Sequence, residues 1–533
     1  MCTGVGLDFR GTTLSEMNPK HQMLRSSIVV AFFNLLGGLS GILVETSIAA
    51  HLGLSKSSDT FYVAYTIPYI ITNLLAATGL YSLVPFFASL ESGGDEREVW
   101  RGFSYVINIL FVGLGAIAVV GAVASPWIIH GIAPGFLRSQ LEDATQMSRW
   151  LFLIIIPAGI AEVLRSFLLS RHYFALSTAT GFIRNLATIL FILLGFHRFG
   201  PYSMVLGYMA GHLLQLLVLG VYVQLSFPAR YSLTLTGSGE SFRNLRGAGT
   251  AQVAGALGWQ GVVVVERIIA SFLPAGTLTA LNYGFKILGT LAELLGGSVG
   301  TASLPGLSRA VATKNHEEQR RTFRDTLELS LLLLSPVAVF CLLLDHSIIH
   351  FVFQRGKFTS EATDLMAMIF FYYSLSLLAF AFLRLLNFCL FARREPGVYF
   401  RLSMVQYGLI LVFDLLYVGV LRMGAKGIPL GFLTGSLLAC AWAIRRNLGG
   451  LNATLDRVLG RFAGKNITAV LLAALSVFAL RAWMTPPVTT SQDFVYLCVI
   501  CGVGGAVYFA AMAILRALPV TQLALLWPRA NGS

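Results

Sequence analysis

The chain has 533 residues, 56% of them hydrophobic and only 12% charged. A soluble domain carries about 25% charged residues, so this composition excludes a soluble enzyme or binding module and describes a chain that crosses a bilayer many times. The net charge of +13 does not call for nucleic acid, because the basic residues of a membrane protein collect in its cytoplasmic loops.

Residues 1–26 form a polar N-terminal segment without the apolar run of a signal peptide, and Met17 and Met23 stand in it as alternative starts. A spanning helix needs about 20 mostly apolar residues. Fourteen stretches meet that need, near 27–51, 60–90, 103–130, 146–170, 173–197, 203–227, 247–272, 278–305, 325–344, 362–391, 398–420, 427–444, 465–484 and 493–516. The expected fold is all-α and polytopic, with about 14 transmembrane helices. Pro68, Pro157 and Pro336 are expected kinks, which neighbouring helices make tolerable. The six cysteines fall mostly in apolar runs and suggest no disulfide framework. Cys498 and Cys501 have redox spacing but lie within a span, and read as helix packing.

Charge bias orients the bundle. With the N-terminus taken as cytoplasmic, 24 of the 38 Lys and Arg residues fall on the inside and 8 on the outside. The inside set includes Arg230, Arg243, Arg246 and Arg529. This bias places both termini in the cytoplasm.

The chain repeats itself at a constant offset of 220 residues. Trp127-Ile128-Ile129-His130 answers to Ser347-Ile348-Ile349-His350, and Leu83-Val84-Pro85 to Ser303-Leu304-Pro305. Glu98, Arg101 and Phe103 answer to Glu318, Arg321 and Phe323. The expected organisation is an N-lobe at 27–227, a cytoplasmic linker at 228–246, a C-lobe at 247–444, two further helices at 445–516 and a cytoplasmic tail at 517–533. Parallel repeats of this kind build transporters whose substrate site lies between the halves.

The stretch from Gly255 to Pro305 carries the most chemistry. It reads as two spans joined by Leu273-Pro274-Ala275-Gly276, with Glu266 and Arg267 in the first and Lys286 and Glu293 in the second. An ionisable side chain at the bilayer centre costs about 2.5–3.5 kcal/mol on insertion scales, and such residues face a bundle interior or a wet path. The first half adds Glu45, Asp59, Glu162, Arg165 and Arg184, and the second adds Arg384 and Asp414. Mixed cations and acids suit an anionic headgroup, the cations for its phosphates and the acids for coupling ions or gate ion pairs. The bland reading is that each charge only neutralises a neighbour. Arg165 and Arg384 also suit snorkelling to the interface, Asp59 suits a helix N-cap, and Asp414 suits a buried pair. His130 and His350 lie at the outer membrane edge and read as interfacial caps, since the sequence supplies no partner. No phosphate-binding loop or metal-ligand cluster is present, so neither cofactor nor metal is expected. Leu36-Gly37-Gly38 and Leu295-Gly296-Gly297 read as close helix contacts.

Several of these pieces resemble the MurJ/MviN family of the multidrug/oligosaccharidyl-lipid/polysaccharide exporter superfamily. They are Asp59-Thr60-Phe61-Tyr62 with Pro68, Leu83-Val84-Pro85, Ala133-Pro134-Gly135-Phe136 and Asn185. In the second half they are Glu266-Arg267 with Ala270-Ser271, Leu304-Pro305 and Gln354-Arg355-Gly356-Lys357-Phe358-Thr359. The resemblance implies a flippase of the bacterial inner membrane that moves a polyprenyl-diphosphate-linked glycan to the outer leaflet by alternating access. It implies drive by membrane potential or an ion gradient, and a lipid-tail groove at the last two spans. The partners are then the lipid-linked glycan and the bilayer, with no nucleic acid, and the chain is expected to act as a monomer. The substrate-facing residues are expected to be Lys286, Arg267, Glu266, Glu45, Asp59, Asn185 and Arg184. One departure stands out: the family's first span carries cavity arginines, and here Val44-Glu45 occupies the place of an Arg-Asp pair. Lipid II and another undecaprenyl-linked glycan, such as an exopolysaccharide unit, both remain open as substrates. A small-molecule antiporter is the alternative function, and spans thirteen and fourteen speak against it. A membrane glycosyltransferase is the third, and the short outside loops speak against that.

The orientation is tested with a reporter active only in the cytoplasm, fused after Arg529 and after Ala133. Activity is expected at the first position only; the reverse pattern inverts the topology.

Overall fold

The computed structural model describes residues 19–227, 231–235, 250–450, 454, 456–484 and 490–518. Met17, Arg230, Arg243, Arg246 and Arg529 lie outside the described residues, as do most of the expected N-terminal segment, linker and tail. The described chain is helical throughout. In order the helices are α1 (Pro19–Leu52), α2 (Lys56–Thr78), α3 (Val84–Ser92), α4 (Glu96–Ile132), α5 (Arg138–Phe152), α6 (Ile155–Ser170), α7 (Phe174–Phe199) and α8 (Tyr202–Ser226). They continue as α9 (Thr250–Ser271), α10 (Thr277–Leu291), α11 (Ser298–Ala312), α12 (His316–Leu343), α13 (Asp345–Phe353), α14 (Ser360–Leu375) and α15 (Leu377–Ala392). The last are α16 (Pro396–Asp414), α17 (Gly427–Arg445), α18 (Arg457–Trp483) and α19 (Thr490–Ile514).

Thirteen of the described helical segments are long and apolar enough to cross a membrane, and a bent pair, α14 with α15, makes the fourteenth. All fourteen expected spans fall on these segments. The tenth span differs from expectation by its 47° bend. The break falls at Ser376, whose hydroxyl donates to the Tyr373 carbonyl at 2.6 Å, and no proline is involved. Pro157 lies just after a break within the single span Arg138–Ser170. It sits in the first turn of α6, where the missing N–H costs no helical bond. Pro68 and Pro336 lie inside α2 and α12.

The helices form two compact units: Met1–Ile48 with Lys56–Gln260, and Ala49–Ser55 with Gly261–Ser533. In the first, Gly207 and Gly211 of α8 lie against α7. A Cβ at Gly207 would come within 3.0 Å of the Thr188 carbonyl oxygen, and one at Gly211 would overlap the Thr188 hydroxyl. In the second, Gly431 and Gly435 of α17 do the same against α16. A Cβ at Gly431 would overlap an Asp414 carboxylate oxygen, and one at Gly435 would lie 2.7 Å from the Ile410 nitrogen. Small residues four apart let two backbones approach where lipid supplies no hydrophobic drive. Gly37 does not act this way: a Cβ there meets nothing within 4 Å, and its carbonyl instead accepts from Asn185 at 3.2 Å.

One end of the first unit is an aromatic cluster of Phe86, Phe87, Trp100, Phe103 and Phe167. The Arg171 guanidinium lies 4.8 Å from the Phe167 ring centre and 4.9 Å from that of Phe227, and binds Glu91 and Glu96 at 2.9 Å each. In the second unit the added helices are stitched to α12. Asn466 of α18 donates to the Ser335 hydroxyl at 2.8 Å, and Tyr508 of α19 donates to the Leu332 carbonyl at 3.0 Å.

Asp456 secures α18 from outside the membrane. Its carboxylate caps the helix by accepting from the Val458 and Leu459 N–H groups at 3.0 Å, and takes Arg320 and Arg324 of α12 at 3.0 and 3.1 Å. The Leu459 N–H foremost, then the two arginines, pull its carboxyl down to about 2. A depressed carboxyl contributes stability above its unfolded value, near 3.9, and that contribution is lost as pH falls toward 2. Asp456→Ala is expected to lower the thermal midpoint in detergent, since a lost N-cap alone costs about 1 kcal/mol. Asp456→Ser, which keeps the cap and loses the charge, should fall between the two. Equal midpoints for wild type and Asp456→Ala would refute the anchor.

Candidate functional site: two intramembrane polar clusters

In the first unit, α1, α2, α6, α7 and α8 bring polar side chains together in mid-membrane. Glu45 of α1 is 5% exposed and accepts a hydrogen bond from the Tyr62 hydroxyl. Asn185 of α7 ties that helix to α1, donating to Ser40 at 2.9 Å besides the Gly37 carbonyl. The neighbouring Arg184 acts by charge on Tyr65, Glu162 and His212. Glu162 and Arg165 of α6 form a two-pronged ion pair, Nε to Oε2 at 2.9 Å and Nη2 to Oε1 at 2.6 Å. The pairing replaces the expected snorkelling of Arg165. A π-helical turn at Gly79–Leu83 follows α2, and the Glu162 carboxylate fills the space that a Cβ at Gly79 would take. Asp59 is not an N-cap. The helix starts earlier, at Lys56, and places Asp59 in its first turn, where a carboxylate complements the positive end of the helix. Val44 is buried at 4% exposure.

In the second unit, Gly276 adopts φ +87 and starts α10. A Cβ there would lie 2.8 Å from the Leu54 backbone, so the turn admits only glycine. The resulting hairpin sets Arg267 of α9 against α10, donating to the Asn282 side chain at 2.8 Å and the Leu278 carbonyl at 3.3 Å. Asn282 gave no signal in the sequence. Lys286 lies half-buried one turn further along α10. Glu293 stands in a second π-helical segment, Ala292–Gly297, and pairs with Arg384 of α15. Here too the acid lies over a glycine: a Cβ at Gly297 would sit 2.8 Å from the Glu293 carboxyl. Arg384 therefore pairs across helices rather than snorkelling.

Asp414 overturns its expectation. It is fully buried, yet neither carboxylate oxygen has a hydrogen-bond partner among the described residues. The charge it meets is another acid, Glu266. The sequence also hid two histidine partners. His350 of α13 pairs with Asp493 of α19, and His346 pairs with Asp364 at 3.1 Å. His350 is thus more than an interfacial cap.

The expected site residues consequently sort by unit. Glu45, Arg184 and Asn185 gather in the first, with Asp59 one turn of α2 from Tyr62. Glu266 and Arg267 gather in the second, with Lys286 further along the same hairpin. Tyr65 and His212, which the sequence reading passed over, belong to the first cluster.

The Glu162–Arg165 pair yields a test. Arg165→Gln strands a mid-membrane carboxylate, whereas removing both charges strands neither. Arg165→Gln should lower the thermal midpoint more than Glu162→Gln with Arg165→Gln does, with a coupling of about 0.5–3 kcal/mol. Additive effects would show that the pair does not hold α6.

A family model described as "Lipid II flippase MurJ" matches residues 48–498. The probable lipid II flippase MurJ of Rhizobium meliloti (strain 1021) is 26% identical over 507 residues, 89% of this chain and 90% of that one. The lipid II flippase MurJ of Burkholderia cenocepacia is 24% identical over 432 residues, 78% of this chain and 82% of that one. Among solved structures, "Lipid II flippase MurJ, inward closed conformation" superposes with TM-score 0.75 at 18% identity, covering 92% of this chain and 98% of that one. An inward-facing multidrug resistance MATE family transporter superposes with TM-score 0.66 at 13% identity, covering 81% of this chain and all of its own. These likenesses fix the fold, and the family match over most of the length fixes the kinship: the chain belongs to the lipid II flippase MurJ family, membrane transporters rather than enzymes.

Proposed function

We propose that the chain is a flippase for a polyprenyl-diphosphate-linked glycan, lipid II or a related envelope precursor, moving it from the inner to the outer leaflet of the bacterial inner membrane. In this reading it works as a monomer by alternating access, with both termini cytoplasmic. The observation that carries the reading is the α9–α10 hairpin, which sets two cations at different depths within the membrane. Arg267 lies 7 residues before Pro274 and Lys286 lies 12 after it. At 1.5 Å per residue these are roughly 10 and 18 Å from the turn, a spacing that suits an extended, multiply charged headgroup. Arg184 supplies a third cation in the first unit. Asn185, Glu45 and Asp59 supply polar groups beside it.

Movement of a dianion needs drive, and the sequence encodes no ATP site. The Glu266–Asp414 pair is where a proton or cation gradient enters this scheme. The MATE-like fold raises the alternative of a small-molecule antiporter. The two added helices, α18 and α19, favour a substrate with a long lipid tail over a drug. Val44 in place of a cavity arginine leaves the glycan open. Rescue of a bacterium depleted of its own lipid II flippase would assign lipid II and make first-span arginines dispensable. Failure by a well-inserted protein would assign another lipid-linked glycan.

Lys286 tests the role of the hairpin. A charge-assisted contact to phosphate is worth about 1.5–3 kcal/mol, or about 10- to 150-fold in binding. In proteoliposomes, Lys286→Gln should cut flipping of the lipid-linked glycan by that order with normal protein level, and Lys286→Arg should keep part of it. Normal transport by well-expressed Lys286→Gln removes Lys286 from the substrate site. A lowered midpoint that Glu266→Gln restores would assign it a structural pairing instead.

A further inference from the structure

One face of α2 carries a stripe that neither the ion-coupling scheme nor the phosphate contacts use. Tyr62, Tyr65, Tyr69 and Asn73 follow one another at helical spacing. Phe61, Tyr65 and Tyr69 form a ring ladder along the same helix. Phe61 and Tyr65 are stacked at 6.0 Å, and Tyr65 and Tyr69 are tilted at 5.6 Å. Tyr208 of α8 packs behind the first two rungs, 5.6 Å from Phe61 and 4.7 Å from Tyr65. The last rung is open: Tyr69 is 40% exposed.

Depth and company decide what that open ring faces. Tyr69 lies 13 residues from the start of α2 at Lys56, roughly 20 Å into the membrane. Tyrosines that anchor a helix in lipid sit at headgroup level, and this one does not. The charges of Arg184 and Glu45 act on its neighbour Tyr65, and the Tyr62 hydroxyl donates to the Glu45 carboxylate. Charged groups in a membrane helix turn to a bundle interior or a wet path, so the tyrosine stripe shares that side.

An open aromatic face beside carboxylate, guanidinium and amide groups matches one chemical class. A pyranose ring presents an apolar C–H face that stacks on an aromatic ring, and hydroxyl edges that seek such polar groups. We propose that the Phe61–Tyr65–Tyr69 ladder is the saccharide subsite of the transported lipid, with Tyr69 as the ring on which a sugar stacks. This rests on the flippase reading above and assigns the sugar, as distinct from the diphosphate, to the first unit. The rear rungs position Tyr69.

The test measures binding of two probes to the full chain in nanodiscs: undecaprenyl diphosphate, and undecaprenyl diphosphate bearing N-acetylglucosamine. Wild type should prefer the sugar-bearing lipid by about 3- to 10-fold, the scale of one aromatic contact. Tyr69→Ala and Tyr69→Leu should lose that preference and keep wild-type affinity for the sugarless lipid, which also shows that they are folded. Tyr69→Phe and Tyr69→Trp should retain the preference. A preference that survives in Tyr69→Leu, or none in wild type, overturns the saccharide subsite and leaves the flippase reading standing. Wild type that binds neither lipid overturns the flippase reading itself.

Discussion

An ionised side chain in hydrocarbon is the constraint from which the rest of this structure follows. Each such group costs free energy unless another polar group or water meets it. The chain meets the cost in two ways. Arg165 is gripped by Glu162 at two points, and Arg384 by Glu293. Arg267 is met by neutral acceptors, a side-chain amide and a carbonyl. Asp414 is the exception, fully buried with neither carboxylate oxygen hydrogen-bonded among the described residues. Groups that are already matched hold helices in place. The unmatched Asp414 carboxylate makes no such contribution.

The two halves solve one backbone problem alike. Each has a spanning helix interrupted by a π-helical turn, at Gly79–Leu83 and at Ala292–Gly297. At each, a carboxylate occupies space that a glycine leaves open. A π-turn widens the helix and re-aims the residues beyond it. Each half also closes its last hairpin with glycines four residues apart. The repeat therefore preserves backbone devices more faithfully than side-chain identity. Glu162 draws its arginine from its own helix, whereas Glu293 draws one from another.

Much of this was legible in the sequence, and the part that was not has a common cause. The spans were legible because a membrane helix needs about 20 apolar residues in a row, a signal that no tertiary contact can erase. The charged residues were legible as anomalies within those spans. Their partners were not. His350 and Asp493 are 143 residues apart, and no local pattern links them. The bend at Ser376 carries no proline, and no local pattern marks the two π-turns. Gly37 looked like a packing glycine and turned out to offer its carbonyl to Asn185. The helix starts four residues before the place that a cap at Asp59 implies, which moves Asp59 from a cap to the first turn.

The absence of arginine from the first span, residues 27–51, and the tyrosine stripe on the next helix bear on one question. Val44 is buried at 4% exposure, and the adjacent Glu45 is committed to Tyr62. The first span thus meets its neighbour through a hydroxyl and a carboxylate, groups suited to sugar hydroxyls more than to phosphate. The hairpin cations Arg267 and Lys286 lie in the second unit. A diphosphate is common to every lipid-linked glycan, whereas the sugar is what distinguishes one from another. On the proposal that the ladder holds the sugar, the residues that would set the choice of glycan lie on α1 and α2 of the first unit.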